Sequence, residues 1–154
     1  MLLTLAGHAD QRSFFGHIMK DTALANKRYL IVDDDDFSCD VLQSVLTHLG
    51  CSDIHYATNG HTALSLARQH QPDFVLLDIY MPEADGWTML GQLRAVLPNA
   101  SILMVTGTGM QADFLKSIDA HADGFCIKPV ATEILQKALL NALNRRQHRV
   151  PTSH

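Results

Sequence analysis

Five residues are of the types that could do chemistry together: Asp33, Asp34, Asp78, Thr106 and Lys128. Asp78 ends the apolar run Phe-Val-Leu-Leu at 74–77 and is soon followed by Pro82 and Gly86, so it lies where a buried strand becomes a loop. A carboxylate there costs free energy to desolvate unless its charge is used. Asp33 and Asp34 follow the run Tyr-Leu-Ile-Val at 29–32, Thr106 follows an apolar run at 101–105, and Lys128 follows one at 124–127. Gathered in one place, the three carboxylates repel one another unless a cation is present. Hard oxygen donors with room for waters suit Mg²⁺. Asp78 is then a nucleophile already ionised at neutral pH, and the metal and ammonium stabilise charge on a transferring phosphoryl group.

Such a gathering needs a particular scaffold. Strand-like segments at 29–32, 51–58, 74–77, 101–105 and 124–127 alternate with helical patterns. In the first helix Phe37, Val41, Leu42, Val45, Leu46 and Leu49 are apolar, with Asp35 or Asp36 as N-cap and Gly50 as the stop. Ala63, Leu64 and Ala67 mark the second helix; Trp87, Leu90, Leu93 and Leu97 mark the third. Phe114, Leu115 and Ile118 mark the fourth, and Ile134, Leu135, Ala138, Leu139, Ala142 and Leu143 the fifth. A β-α unit repeated five times predicts an α/β fold, a doubly wound five-stranded parallel sheet with helices on both faces. Its strand C-termini share one edge, and in the order 2-1-3-4-5 strands 1 and 3 flank the switch point. That order brings the three carboxylates together.

Composition sets the bounds. At 154 residues, 47% hydrophobic and 18% charged, the chain has enough material for one substantial core. No apolar run approaches a membrane span, and the start at Met1 has no basic leader. Cys39, Cys51 and Cys126 match no zinc or redox spacing and read as buried free thiols in a reducing cytoplasm. Residues 1–133 hold all 16 acids and 8 of the 12 bases, a balance of −8, while residues 134–154 carry +4. An acidic body does not favour nucleic-acid binding. The expected organisation is an extension at 1–26, a domain at 27–146 and a basic tail at 147–154.

Val-Asp-Asp-Asp at 32–35, Leu-Leu-Asp-Ile-Tyr-Met-Pro at 76–82, Asp-Gly at 85–86, Val-Thr-Gly at 105–107 and Lys-Pro at 128–129 appear in order over Lys27 to Asn144. Together they resemble the response-regulator receiver domain of two-component signalling. The resemblance implies a flavodoxin-like fold. It implies that Asp78 accepts a phosphoryl group from a phosphohistidine on a histidine kinase or phosphotransfer protein. It also implies that Asp33, Asp34, Asp78 and the backbone carbonyl of Tyr80 hold Mg²⁺. Thr106 and Phe125 match the two switch positions, and Lys128 the lysine that pairs with phosphoryl oxygens and precedes a cis proline. A switched partner surface on helix 4, strand 5 and helix 5, open to a homodimer, is implied as well. Residues 147–154 are too few for a fused output domain, so output is expected through a separate protein.

Some positions depart from the commonest family pattern. Gly107 stands where alanine is usual, Tyr80 and Thr108 hold variable positions that tune phosphoryl lifetime, and Phe125 lacks a hydroxyl. Plainer roles suit other residues: Asp35 and Asp36 as cap and loop charges, Trp87 and Phe114 as core or helix-face residues, and the nine histidines as surface residues. Two other functions compete. A metal-dependent phosphohydrolase with an aspartyl nucleophile wants a second acid two residues on, where Tyr80 stands. An interaction module indifferent to phosphorylation would have no use for the intact acids, Thr106 and Lys128.

Overall fold

Apolar strands bounded by turn residues close into a five-stranded sheet in the computed structural model, which describes residues 22–83, 85–107 and 110–148. A helical turn at Thr22–Ala25 precedes β1 (Arg28–Val32), α1 (Asp36–His48), β2 (Asp53–Ala57) and α2 (Gly60–His70). Then follow β3 (Phe74–Leu77), α3 (Gly86–Val96), β4 (Ser101–Thr106), α4 (Gln111–Asp119), β5 (Gly124–Ile127) and α5 (Thr132–His148). All pairings are parallel, in the order β2-β1-β3-β4-β5. The doubly wound fold expected from the sequence is therefore the fold found.

Alternate residues of each strand feed two separate cores. Tyr29, Ile31, Phe74, Leu76, Leu103 and Val105 pack with α1 and α5 on one face. Leu30, Val32, Val75, Leu77, Ile102 and Met104 pack with α2 and α3 on the other. Burial on both faces is why β3 and β4 read as unbroken apolar runs. The first core reaches back to Leu24, fully buried, whose carbonyl accepts from the Tyr29 hydroxyl at 2.7 Å. Packing thus begins ahead of the boundary drawn at residue 27. Cys39, Cys51 and Cys126 are free and buried.

Two helices expose apolar residues that mark their patterns. Phe37 belongs to the apolar pattern of α1, yet it is 73% exposed. It occupies the helix's first turn and lines a shallow groove with Val41 and Pro129. Phe114, Leu115 and Ile118 of α4 are also about half exposed, whereas Asp113 and Ser117 face inward. Among the described residues no helix is long and apolar enough to cross a membrane. Residues 1–21 and 149–154, including most of the expected extension and much of the basic tail, lie outside the described residues.

Candidate functional site

Asp33, Asp78 and Lys128 sit one residue past the ends of β1, β3 and β5, Asp34 two residues past β1, and Thr106 at the end of β4. The Asp33 amide donates to the Ala57 carbonyl at 3.1 Å, and the Asp78 amide to the Val32 carbonyl at 2.9 Å. The Lys128 amide donates to the Thr106 carbonyl at 2.7 Å. These bonds extend the ladders by one step and hold the backbones rigid where the side chains diverge. Asp33 and Thr106 are almost wholly buried, Asp78 is 7% exposed, and Asp34 faces solvent. Carboxylate oxygens of Asp33, Asp34 and Asp78 lie within 4.8 Å of one another.

Lys128 closes the cluster. Its ammonium pairs with Asp33 and lies 3.5 Å from Asp78 Oδ2 and 3.4 Å from Ser38 Oγ. Burial alone would lower the Lys128 pKa, but the hydrogen bond and charge of Asp33, with the charge of Asp78, outweigh it and hold the pKa above its ordinary value. Asp78 is pushed the other way for a carboxylate. Burial and then the Asp33 charge raise its pKa, and Lys128 and the Tyr80 backbone amide offset only part of this. The site therefore carries more negative charge than it neutralises. An all-oxygen donor set with one solvent-facing member fits a hard divalent cation that keeps several waters. Beside Asp34 a cavity of about 360 Å³, lined also by Thr58, Asn59, Met81, Pro82 and Glu83, leaves open access from solvent.

The loop after Asp78 is held by its own turn chemistry. Asp85 caps α3, accepting from the Thr88 amide at 2.9 Å and the Thr88 hydroxyl at 3.0 Å. Tyr80 and Asp85 form an antiparallel bridge, and the Gly86 amide donates to the Ile79 carbonyl at 2.7 Å. A Cβ on Gly86 would come within 2.4 Å of the Asp78 carbonyl oxygen, so only glycine lets α3 start this close to the site.

The structure brings Asp33, Asp34, Asp78 and Lys128 into one cluster, with Thr106 at the end of the neighbouring strand. Phe125 stands apart, half-buried in β5, with Phe114 of α4 edge-on at 5.7 Å. The Lys128–Pro129 peptide is cis. Sequence reading missed two participants. Ser38 was legible in hindsight, since its spacing from the Asp35 cap turns it back over the site. Asp113 was not: its carboxylate accepts from the Tyr80 hydroxyl at 2.8 Å, a contact 33 residues long in sequence.

Comparison with known proteins points one way. The sequence profile of the response regulator receiver domain matches residues 29–140. The chemotaxis protein CheY of Bacillus subtilis is 34% identical over 117 residues, covering 76% of this chain and 98% of that protein. The transcriptional regulator RpaA of Synechocystis is 36% identical, with 80% of this chain matching 52% of its length. Among solved structures, a chain of the Borrelia burgdorferi CheX–CheY–BeF₃–Mg²⁺ complex superposes with a TM-score of 0.71 at 28% identity, covering 76% of this chain and 89% of that one. A receiver domain protein from Methanospirillum hungatei gives 0.70 at 27% identity, covering 79% and 96%.

Proposed function

The chain belongs to the response regulator receiver domain family, and from that premise we propose that it is a phosphoacceptor switch with Asp78 as the acceptor. The supporting observation is the cluster itself: a nearly buried carboxylate at a strand end, flanked by two more carboxylates and within 3.5 Å of an ammonium. An oxygen of Asp78 attacks the phosphorus of a phosphohistidine. The P–O bond forms as the P–N bond breaks, and the leaving imidazole keeps the bonding pair and takes up a proton from solvent water. Asp78 needs no base, being ionised before it reacts. Lys128, tethered by Asp33, is placed to swing onto a phosphoryl oxygen, and the Thr106 hydroxyl offers a donor from the adjacent strand.

Asp33, Asp34, Asp78 and the Tyr80 carbonyl are the groups that would hold Mg²⁺, which supplies positive charge against the phosphoryl oxygens. The phosphoryl donor is a histidine kinase or histidine phosphotransfer protein. Output runs through a separate protein recognised on the α4–β5–α5 face, where Thr106 and Phe125 relay the change. We place the protein in the cytoplasm and assign residues 27–146 to the receiver, with 1–26 and 147–154 as appendages. The test is exposure to acetyl phosphate with Mg²⁺, read by intact mass. One phosphoryl increment is expected, lost on chelation and in Asp78→Asn; an increment retained in that variant sinks the assignment.

A further inference from the structure

α4 is attached to the rest of the protein by an inverted pattern of burial. Its inward residues are polar: Asp113 and Ser117, one turn apart, are 8% and 3% exposed. Its apolar residues Phe114, Leu115 and Ile118 are roughly half exposed, as is Ile127 of β5. So short a helix, burying so little apolar surface, gains little from the hydrophobic effect. Its N-cap, Met110, supplies no side-chain hydrogen bond. At that end α4 is joined to the loop after Asp78 by the Tyr80–Asp113 hydrogen bond, a phenol on a largely buried carboxylate at 2.8 Å. Bonds of this charge-assisted kind are among the stronger ones.

The two partners sit at informative places. Tyr80 is two residues beyond Asp78, in the loop bridged by Tyr80 and Asp85. Asp113 lies in the first turn of α4, next to Phe114, whose ring meets Phe125 of β5 edge-on. A continuous line of contacts therefore runs from the Asp78 loop through Tyr80, Asp113 and Phe114 to Phe125. We propose that the Tyr80–Asp113 bond is a latch that fixes the first turn of α4 to the acceptor loop. A shift of that loop opens it, loosening α4 and its exposed apolar residues Leu115 and Ile118. That it opens on phosphorylation rests on the phosphoacceptor reading above; that it anchors α4 does not.

Amide hydrogen exchange separates the two claims. In the resting full chain, Tyr80→Phe keeps the ring and removes the donor. Exchange across residues 112–120 should rise about tenfold, the scale of one hydrogen bond to a charged group. Asp113→Asn should act in the same direction, and the double variant should exceed the larger single effect by less than twofold. Amides of β1 and β3 serve as the internal reference and should stay unchanged. Exchange in Tyr80→Phe within twofold of wild type, or additive effects in the double variant, overturns the latch. Acetyl phosphate with Mg²⁺ should then raise α4 exchange in the wild type and change Tyr80→Phe less than twofold. A full response in that variant overturns the coupling. If the wild type gains no phosphoryl mass, the phosphoacceptor reading fails, while the resting comparison still decides the anchor.

Discussion

Asp78 is held in a form that its surroundings resist. Burial and the Asp33 charge raise its pKa, so the folded state binds its proton more tightly than the unfolded chain does. Stability from this group is present at low pH and is lost as pH rises through the folded value. At neutral pH its ionisation works against the fold. Asp78→Asn is therefore expected to raise the melting temperature at pH 7 in metal-free buffer, as read by calorimetry. Mg²⁺ should reverse the ranking by stabilising the wild type, by about 2.7 kcal/mol at a hundredfold excess over Kd. A lower melting temperature for the variant in chelator contradicts this electrostatic reading. Lys128 competes for the same oxygens, and its raised pKa keeps it charged throughout the neutral range. Lys128→Ala should tighten Mg²⁺ binding by about tenfold in a calorimetric titration, since a nearby cation is removed. These groups were legible in the sequence because each follows an apolar strand, and the parallel topology brings strand ends together. Asp113 was hidden, because nothing in its local sequence names a partner 33 residues away.

At the scale of elements, α3 shows how two glycines in one helix carry opposite consequences. Gly91 has open space where a Cβ would go, so Gly91→Ala should stabilise by about 0.5–1 kcal/mol through helix propensity alone. Gly86→Ala, at the first helical position, drives a Cβ into the Asp78 carbonyl and the Ile79 Cα, at 2.4 and 2.6 Å. It should cost about 1–3 kcal/mol and displace the acceptor loop, as overpacking does. Urea unfolding of the two variants makes the comparison. Asp85 adds a pH signature. Its carboxyl is held below the usual range, chiefly by the Thr88 amide. A depressed pKa contributes stability present above the unfolded value and lost as pH falls through the folded one. Loss of this N-cap in Asp85→Ala should cost about 1 kcal/mol at pH 7, and the cost should shrink under acid as the carboxyl protonates. Periodicity located these helices well because apolar spacing reports helical form directly. In α4 the apolar residues Phe114, Leu115 and Ile118 mark the helix by their spacing, yet the residues buried against the protein are Asp113 and Ser117. That helix covers the end of the sheet, beside an edge strand with Ile127 itself half exposed, so little apolar surface there needs a lid.

Across the whole molecule the two edges of the sheet divide the labour. The C-terminal edge gathers charge that repels itself, whereas the N-terminal edge is clamped by charge that is satisfied. Asp123, 3% exposed and just ahead of β5, is the hub of the clamp. Its carboxylate accepts from Arg94 of α3 and from the Ile102 amide of β4, each at 2.8 Å, and Arg145 of α5 donates to its carbonyl. Arg94 also reaches the Ala100 carbonyl at 2.5 Å, so helices from both faces of the sheet meet here. Removing one partner of such a pair leaves the other with its desolvation cost uncompensated. Arg94 retains some contact with water, 29% of its side chain, which moderates the loss. Asp123→Ala is expected to cost about 2–4 kcal/mol, lowering the melting temperature by roughly 10 °C. Because the hub lies at the edge opposite Asp78, the rate of phosphoryl uptake from acetyl phosphate should stay within about twofold of wild type below the transition. A matching fall in uptake, with the variant still folded by circular dichroism, would mean that the two edges are not independent and that the clamp tunes the site it stands behind.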